Sequence, residues 1–445
     1  MQAKIAEEAE KIDPQTSERD TAGTRPRPNV TRLAALAVLA ALFAVSALSW
    51  VRFSESAGSV AGLFTQTDFP AVTITSRLIS EGRGAEMYNL DVQLEGQKRL
   101  IAEGYLILSP TDGLHYPYPY TPPIAVFMSA FAGLPPTTGM AIWDLINIAA
   151  LAAGFWYLLS TLPLRRFARL ALLIGALTSF PFVVNLEQGQ SSGVVMLGFA
   201  LGIGLLKKGR DIPAGLAFGL LVLKIQWLPV LVLVLLWKRR WRTLAGIAGG
   251  AGAIMLISVL VAGTGWLPDY LHILGRAQQY ARELLLDPWY SHSFPGGLAA
   301  LIGPSSDDAV RFANVALTVL LVGLLVYLWR GKWQPSSARW DGLMGATVLV
   351  ALFTNLQLNT HDLCLVALPA ALGLSYLRRQ QQATAYRTAW YALCWTIYIA
   401  TGLFLPQVFS LPVRLTTLVI ALMLGIMAYT LANKQQGAVR EQAQS

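Results

Sequence analysis

Asp68 opens the segment Thr67-Asp68-Phe69-Pro70-Ala71-Val72-Thr73-Ile74, a short distance after an apolar stretch, Leu33 to Trp50, that is long enough to cross a bilayer. A carboxylate fixed just outside the lipid can take a proton from a hydroxyl carried by something lying in the membrane. Asp followed closely by Pro also fits a helix N-cap, and capping does not exclude chemistry. Lys224 is a second candidate, because it interrupts an apolar segment. An amine there costs roughly 2.5–3.5 kcal/mol on insertion scales, so it calls for an anionic partner, a wet cavity or a ligand phosphate. Thr360-His361-Asp362 stands at the head of the apolar run Leu363-Cys364-Leu365-Val366. A His–Asp pair there can donate to a phosphate, or Asp362 can cap a helix with His361 incidental.

Three further segments carry weaker signals. Asn185-Leu186-Glu187-Gln188-Gly189-Gln190-Ser191-Ser192-Gly193 is a polar turn between apolar runs, in which the Gln190 amide can read sugar hydroxyls or the glycines can simply make a turn. In His115-Tyr116-Pro117-Tyr118-Pro119-Tyr120-Thr121-Pro122-Pro123 the prolines stiffen the chain. Its tyrosines, Tyr118 among them, can hold a sugar or phosphate or form an interfacial aromatic belt. The segment 264–308 holds His272, Arg276, Gln278, Arg282, His292 and Ser293, where a helical face joining His272 to Arg276 is equally a solvated surface.

These residues must be positioned by membrane helices. Of the 445 residues 54% are hydrophobic and 13% charged, which excludes a soluble globular domain and makes the chain an all-α polytopic membrane protein. The net charge of +9 is not a nucleic-acid signal, since the basic residues sit in short clusters between apolar runs without interleaved aromatics. Cys364 and Cys394 both lie in apolar runs and read as packing residues.

Placing every tight basic cluster on the cytoplasmic side gives spans at about 33–51, 139–162, 168–185, 191–206, 243–263, 309–329, 341–358, 362–377, 388–405 and 413–432, with both termini inside. Counting short helices as spans raises the number to about twelve. Pro122–Leu134 is then a short or re-entrant helix, and Pro213–Trp237, interrupted at Lys224, dips in and returns. After Asp68, Ala71, Ile74 and Leu78 share a face opposite Thr73, Ser76 and Arg77, which predicts an interfacial amphipathic helix ended by Gly82. The tail 1–29 is polar and reads as disordered. Residues 30–435 form the membrane domain, with outer segments 52–121 and 264–308, and 436–445 is a second cytoplasmic tail.

No Walker loop, dinucleotide fingerprint, His-Glu-x-x-His or G-x-S-x-G element occurs, so ATP hydrolysis, nicotinamide chemistry, zinc proteolysis and serine hydrolysis lack support. Taken in order, several features resemble the polyprenol-phosphate-dependent glycosyltransferases of family 87, in the GT-C superfamily. They are Asp68, Tyr118-Pro119-Tyr120-Thr121-Pro122-Pro123, Glu187-Gln188-Gly189-Gln190, Ala214-Gly215 with Lys224 and Pro229 ahead of Trp237-Lys238-Arg239-Arg240, and His361-Asp362. The resemblance runs from about residue 60 to the end of the chain.

That resemblance implies a GT-C fold, a polyprenyl-phosphate-linked monosaccharide donor with mannose favoured, inversion at the anomeric carbon, and a lipid-linked or cell-envelope acceptor. It implies Asp68 as general base. Lys224, His361, Asp362, Gln190, Tyr118, Arg276 and His292 are the expected donor-phosphate and sugar contacts, with no cofactor, no metal and no nucleic-acid partner. The expected location is a bacterial inner membrane, multi-pass, with the site facing outward and membrane lipids around it. Two rivals share some of these features: a lipid-linked oligosaccharide flippase or transporter, and an O-antigen polymerase or ligase.

Overall fold

The computed structural model describes residues 58–109, 113–283, 291–302, 307–356, 358–403 and 415–444, with isolated helical positions between 37 and 55. The expected tail 1–29, most of the expected first span 33–51 and the residues 406–412 between the last two expected spans lie outside the described residues.

Every regular element among the described residues is helical. In chain order these are α1 (Val60–Thr65), α2 (Phe69–Ser80), α3 (Leu90–Ala102), α4 (Pro122–Ser129), α5 (Pro136–Thr161), α6 (Arg166–Leu177), α7 (Phe180–Glu187), α8 (Ser192–Lys207) and α9 (Asp211–Gly219). They continue as α10 (Leu228–Trp237), α11 (Trp241–Ala262), α12 (Trp266–Glu283), α13 (Phe294–Ile302), α14 (Asp307–Leu328), α15 (Ala338–Phe353), α16 (Ala367–Arg379), α17 (Thr384–Leu403) and α18 (Leu415–Gln444). Short 3₁₀ turns include Leu220–Trp227 between α9 and α10 and Thr360–Val366 ahead of α16. Helix α18 runs on through the segment expected as a C-terminal tail.

Among the described residues six helices are long and apolar enough to cross a membrane, or seven if α6 and α7, bent by 42°, form one span. This makes the chain a multi-pass membrane protein. The bend falls where Ser179 caps α7 and Pro181 occupies its first turn. Helices α8 and α15 have 16 residues each. At about 24 Å they fall short of a hydrocarbon core of about 30 Å. Both are packed inside the protein, where a short helix need not match the lipid.

The segment Asp211–Trp237 has the length of a span at 27 residues, yet it does not run straight. A continuous helix of that size would hold its ends about 40 Å apart. Here Asp211 accepts from Arg240 at 2.5 and 2.6 Å, so the two ends meet. The reversal falls in the 3₁₀ turn, where Lys224 has the non-helical angles φ −135° and ψ 78°. Glycines let α9 lie directly on α11: a Cβ on Gly215 would stand 2.1 Å from the Thr243 carbonyl oxygen, and one on Gly250 would stand 2.9 Å from that of Leu216. The expected hairpin through Lys224 is therefore present as a geometry, with the lysine at its tip.

At the open end of this hairpin the basic clusters gather. The Lys207 ammonium is paired with Asp341 and donates to the Pro335 carbonyl at 3.1 Å. Arg379 lies 3.4 Å from the same Asp341, and Lys238 donates to the carbonyls of Trp329 and Gly331 at 3.0 and 2.6 Å. Helix α8 begins at the opposite end, beside Lys224. Cys364 is buried and Cys394 half-buried, both as free thiols.

Helix α2 differs from the expected surface helix. Thr73 and Ser76 are buried, and their hydroxyls donate to the carbonyls of Phe69 and Val72 at 3.2 and 2.6 Å. Back-bonding satisfies these groups within the helix, so its polar stripe needs no water. Gly82, at φ +77°, follows the helix, and the Arg83 amide donates to the Leu78 carbonyl at 2.8 Å.

Candidate active site

Two apolar cores meet at the polar turn after α7. One gathers Phe69, Tyr118, Trp143 and Trp266; the other gathers Val195, Val222, Leu363 and the interiors of α15 and α16. Between them Gly189 adopts φ +63°, and a Cβ there would stand 2.9 Å from the Phe69 ring. Only glycine combines that angle with that contact. Trp143 of α5 donates its indole N–H to the carbonyls of Gly189 and Gln190 at 2.9 and 3.2 Å and pins the turn.

Asp68 occupies the N-cap position of α2, but its carboxylate makes no capping hydrogen bond. The Phe69 amide donates instead to the hydroxyl of Thr67 at 3.2 Å. The N-cap reading of the Asp68 side chain therefore fails, because a neighbouring hydroxyl fills that role. The carboxylate turns instead to the polar turn and Tyr120: the Gln190 amide donates to Oδ2 at 2.6 Å and the Tyr120 hydroxyl approaches Oδ2 at 3.5 Å. Gln190 also donates to Tyr120 at 2.8 Å. Among the described residues nothing hydrogen-bonds Oδ1, and the side chain is exposed on one side.

The surrounding protein raises the Asp68 pKa above the usual carboxylate range, opposed by the hydrogen bonds from Gln190 and Tyr120 and by the Lys224 charge. Solvent reaches one edge of the carboxylate, but the mass of protein behind it decides the direction. Tyr120 is pushed well up by burial and by the Asp68 charge, so its hydroxyl keeps its proton. A carboxylate with two donors on one oxygen, the other oxygen open and a raised pKa is equipped to accept a proton.

The same turn carries a second set of contacts. The Gln188 side chain accepts from His361 Nδ1 at 3.0 Å, and the other ring nitrogen faces Asp362 at 3.5 Å. Lys224 donates to Asp362 Oδ1 at 2.7 Å and to the Ser192 hydroxyl at 3.3 Å, while Ser192 itself donates to Asp362 at 2.9 Å. His361, Asp362, Lys224 and Ser192 are buried and Gln188 is partly so. The ammonium has an anionic partner inside the protein, and one of its three N–H groups is left for another acceptor. Asp362 does not act as a helix cap here; its two oxygens face Lys224, Ser192 and His361.

The other expected residues are placed as follows. Tyr118 stands behind Tyr120, 5.5 Å between ring centres, with its hydroxyl donating to the Thr121 carbonyl and accepting from the Ala125 amide. His292 bridges the hydroxyls of Thr416 and Thr360 at 2.7 and 3.0 Å, one residue from His361. The side chains of Arg276, Gln278 and Arg282 lie outside the described residues. Tyr120, Gln188 and Ser192 were not singled out from the sequence. All three lie in segments that were, but a Tyr-Pro repeat and a polar turn look alike from one residue to the next.

The family model for glycosyltransferase family 87 matches residues 118–354, just over half of the chain. The chain belongs to glycosyltransferase family 87. It is a multi-pass membrane glycosyltransferase, so its substrates include a sugar and membrane lipids surround it. No curated protein and no solved structure matches the chain. The family-87 match covers Tyr120, the Gln188–Ser192 turn and the Lys224 hairpin, whereas Asp68, His361 and Asp362 flank it on either side.

Proposed function

We propose that this family-87 protein transfers a monosaccharide, with mannose favoured, from a polyprenyl-phosphate donor to a lipid-linked or cell-envelope acceptor. Transfer occurs with inversion, at the non-cytoplasmic face of a bacterial inner membrane. Asp68 accepts the proton of the acceptor hydroxyl through Oδ1 as the new glycosidic bond forms, and the polyprenyl phosphate leaves with its electron pair. General-base assistance of this kind gives about 10²–10⁴-fold.

The observation that carries this reading is the open Asp68 carboxylate, held by Gln190 on a turn whose neighbouring residues also hold His361 and Lys224. One turn thus joins a base to a cationic group. Lys224 faces the departing phosphate with its remaining N–H, and Asp362 and His361 keep it in place. Gln190 and Tyr120 orient the base. Thr121 Oγ1 and Ser191 Oγ, next in sequence to Tyr120 and Gln190, and Glu187 Oε1 of the same turn are buried with no partner among the described residues, which suits a polar ligand such as a sugar.

The test is transfer of radiolabelled mannose from a polyprenyl-phosphate donor by purified protein, with Asp68→Asn in parallel. The variant should fold as the parent does, since the lost carboxylate is not a cap, and should lose about 10²-fold or more in rate. Equal transfer by the variant would remove Asp68 as base. A parent that takes label from no monosaccharide-phosphate lipid would turn the reading toward transport.

A further inference from the structure

An open cleft lies between α2, the end of α4 and the first turn of α5, with Phe69, the neighbour of Asp68, in its lining. Its floor is Phe69, Val72 and Met128, all buried, and its rim is Leu134 and Pro135, both exposed. Two hydroxyls face it in name only: Thr73 and Ser76 donate to the backbone of their own helix. The lining therefore offers an occupant carbon and little else. Hydrocarbon is the chemistry such a surface favours, at roughly 25 cal/mol per Å² of apolar area buried.

Three positions say where this hydrocarbon comes from. Phe69, the residue after the carboxylate, lines the cleft. Gly139 lines it next to Phe69, one helical turn before Trp143, which holds the Gly189–Gln190 backbone. Helix α5 is a candidate membrane span and the cleft lies at its start, next to exposed Phe127 and Leu134. The Lys224, Asp362 and His361 group bonds to the same turn through Ser192 and Gln188, whereas Asp68 bonds to it through Gln190.

We infer that the cleft between α2, α4 and α5 holds a hydrocarbon chain of the lipid-linked acceptor, which places the acceptor hydroxyl at Asp68. The inference rests on Asp68 as the base. The donor's polyprenyl chain, by contrast, follows its phosphate to the Lys224 side.

Gly139 supplies the test, because a Cβ there meets Met128 and Phe69 only at 3.9 Å and a leucine side chain would project into the cleft. Gly139→Leu protein is assayed with polyprenyl-phosphate-linked radiolabelled mannose as donor and the total lipid extract of the native membrane as acceptor. The apparent KM for the extract should rise about tenfold, the range a filled apolar pocket commands, with the donor KM unchanged. A rise in the donor KM instead, or no change in a variant that melts with the parent, overturns the proposal. A second arm needs no turnover: benzoylphenylalanine in place of Phe131, which lines the cleft, is photolysed in nanodiscs made from the same extract. An adduct enriched in a glycolipid supports the proposal. An adduct carrying polyprenyl phosphate, or phospholipids in proportion to their abundance, overturns it. If the parent transfers no label while the glycolipid adduct forms, the donor reading has failed and the cleft assignment stands.

Discussion

Gln190 reaches across 122 residues of sequence to donate to Asp68 Oδ2 at 2.6 Å. This bond fixes the direction in which the other carboxylate oxygen points, and it also favours the ionised form. Gln190→Leu should therefore cost activity in two ways. Burial already raises the Asp68 pKa, and the Gln190 bond opposes that rise. A base works only when ionised, so kcat/KM falls as the pH drops through this raised value. Removing Gln190 lifts the value further and moves the acid limb of the pH–rate profile to higher pH. A profile that keeps its acid limb in place while kcat falls would show that Gln190 does not act on the base.

Tyr120 and Tyr118 should separate cleanly. The Tyr120 hydroxyl approaches Asp68 at 3.5 Å, a weaker contact than that of Gln190, so Tyr120→Phe should shift the same acid limb in the same direction by less. The Tyr118 hydroxyl joins Thr121 and Ala125 in the core. Tyr118→Phe leaves those groups unpaired and should lower stability by about 1–3 kcal/mol, read as a fall in melting temperature, without moving the pH profile.

Lys224 and Asp362 are buried partners 2.7 Å apart. Breaking such a pair from one side costs about 3–5 kcal/mol, because an uncompensated charge is left behind. Asp362→Leu should therefore melt well below the parent, and Lys224→Met combined with Asp362→Leu should recover much of that loss. If Lys224 serves the leaving phosphate, the double variant folds and stays inactive. Recovery of transfer along with stability would reduce the pair to a structural role.

The Asp211 and Arg240 contact predicts the path of the chain. Both ends of the hairpin lie on one side, so cysteines placed at the exposed Arg210 and Arg239 should be labelled by an impermeant maleimide from the same side of sealed vesicles. Labelling of the two from opposite sides would mean that the segment crosses the membrane.

Gly189→Ala should disturb the base from a distance. The residue sits at φ +63° with Phe69 against it, so a methyl group is strained in angle and crowded in space. Loss of about 1–3 kcal/mol is expected, with a fall in kcat larger than any change in KM, since the turn positions Asp68, Lys224 and His361 together. A KM change alone would contradict that role.

Much of this molecule was legible as a sequence because hydropathy and charge are local. Runs such as Pro136–Thr161 and Trp241–Ala262 declare themselves by length and composition, and the basic clusters around Lys207, Lys238 and Arg379 declare their shared end. The kink at Lys224 was readable from an amine inside an apolar run. The sequence also marked Asp68, the Gln190 turn and His361-Asp362 as polar groups at the edges of apolar segments. It could not assign their partners. Thr67 rather than Asp68 caps α2, Tyr120 rather than Tyr118 faces the carboxylate, and Asp362 takes the Lys224 charge across 138 residues. Those choices depend on which helix lies against which and at what rotation, and that is fixed by close contacts such as Phe69 on Gly189 and Gly215 on α11. Burial makes such contacts selective: a polar group with no water must find its partner in the protein, and only the packed structure determines which one is in reach.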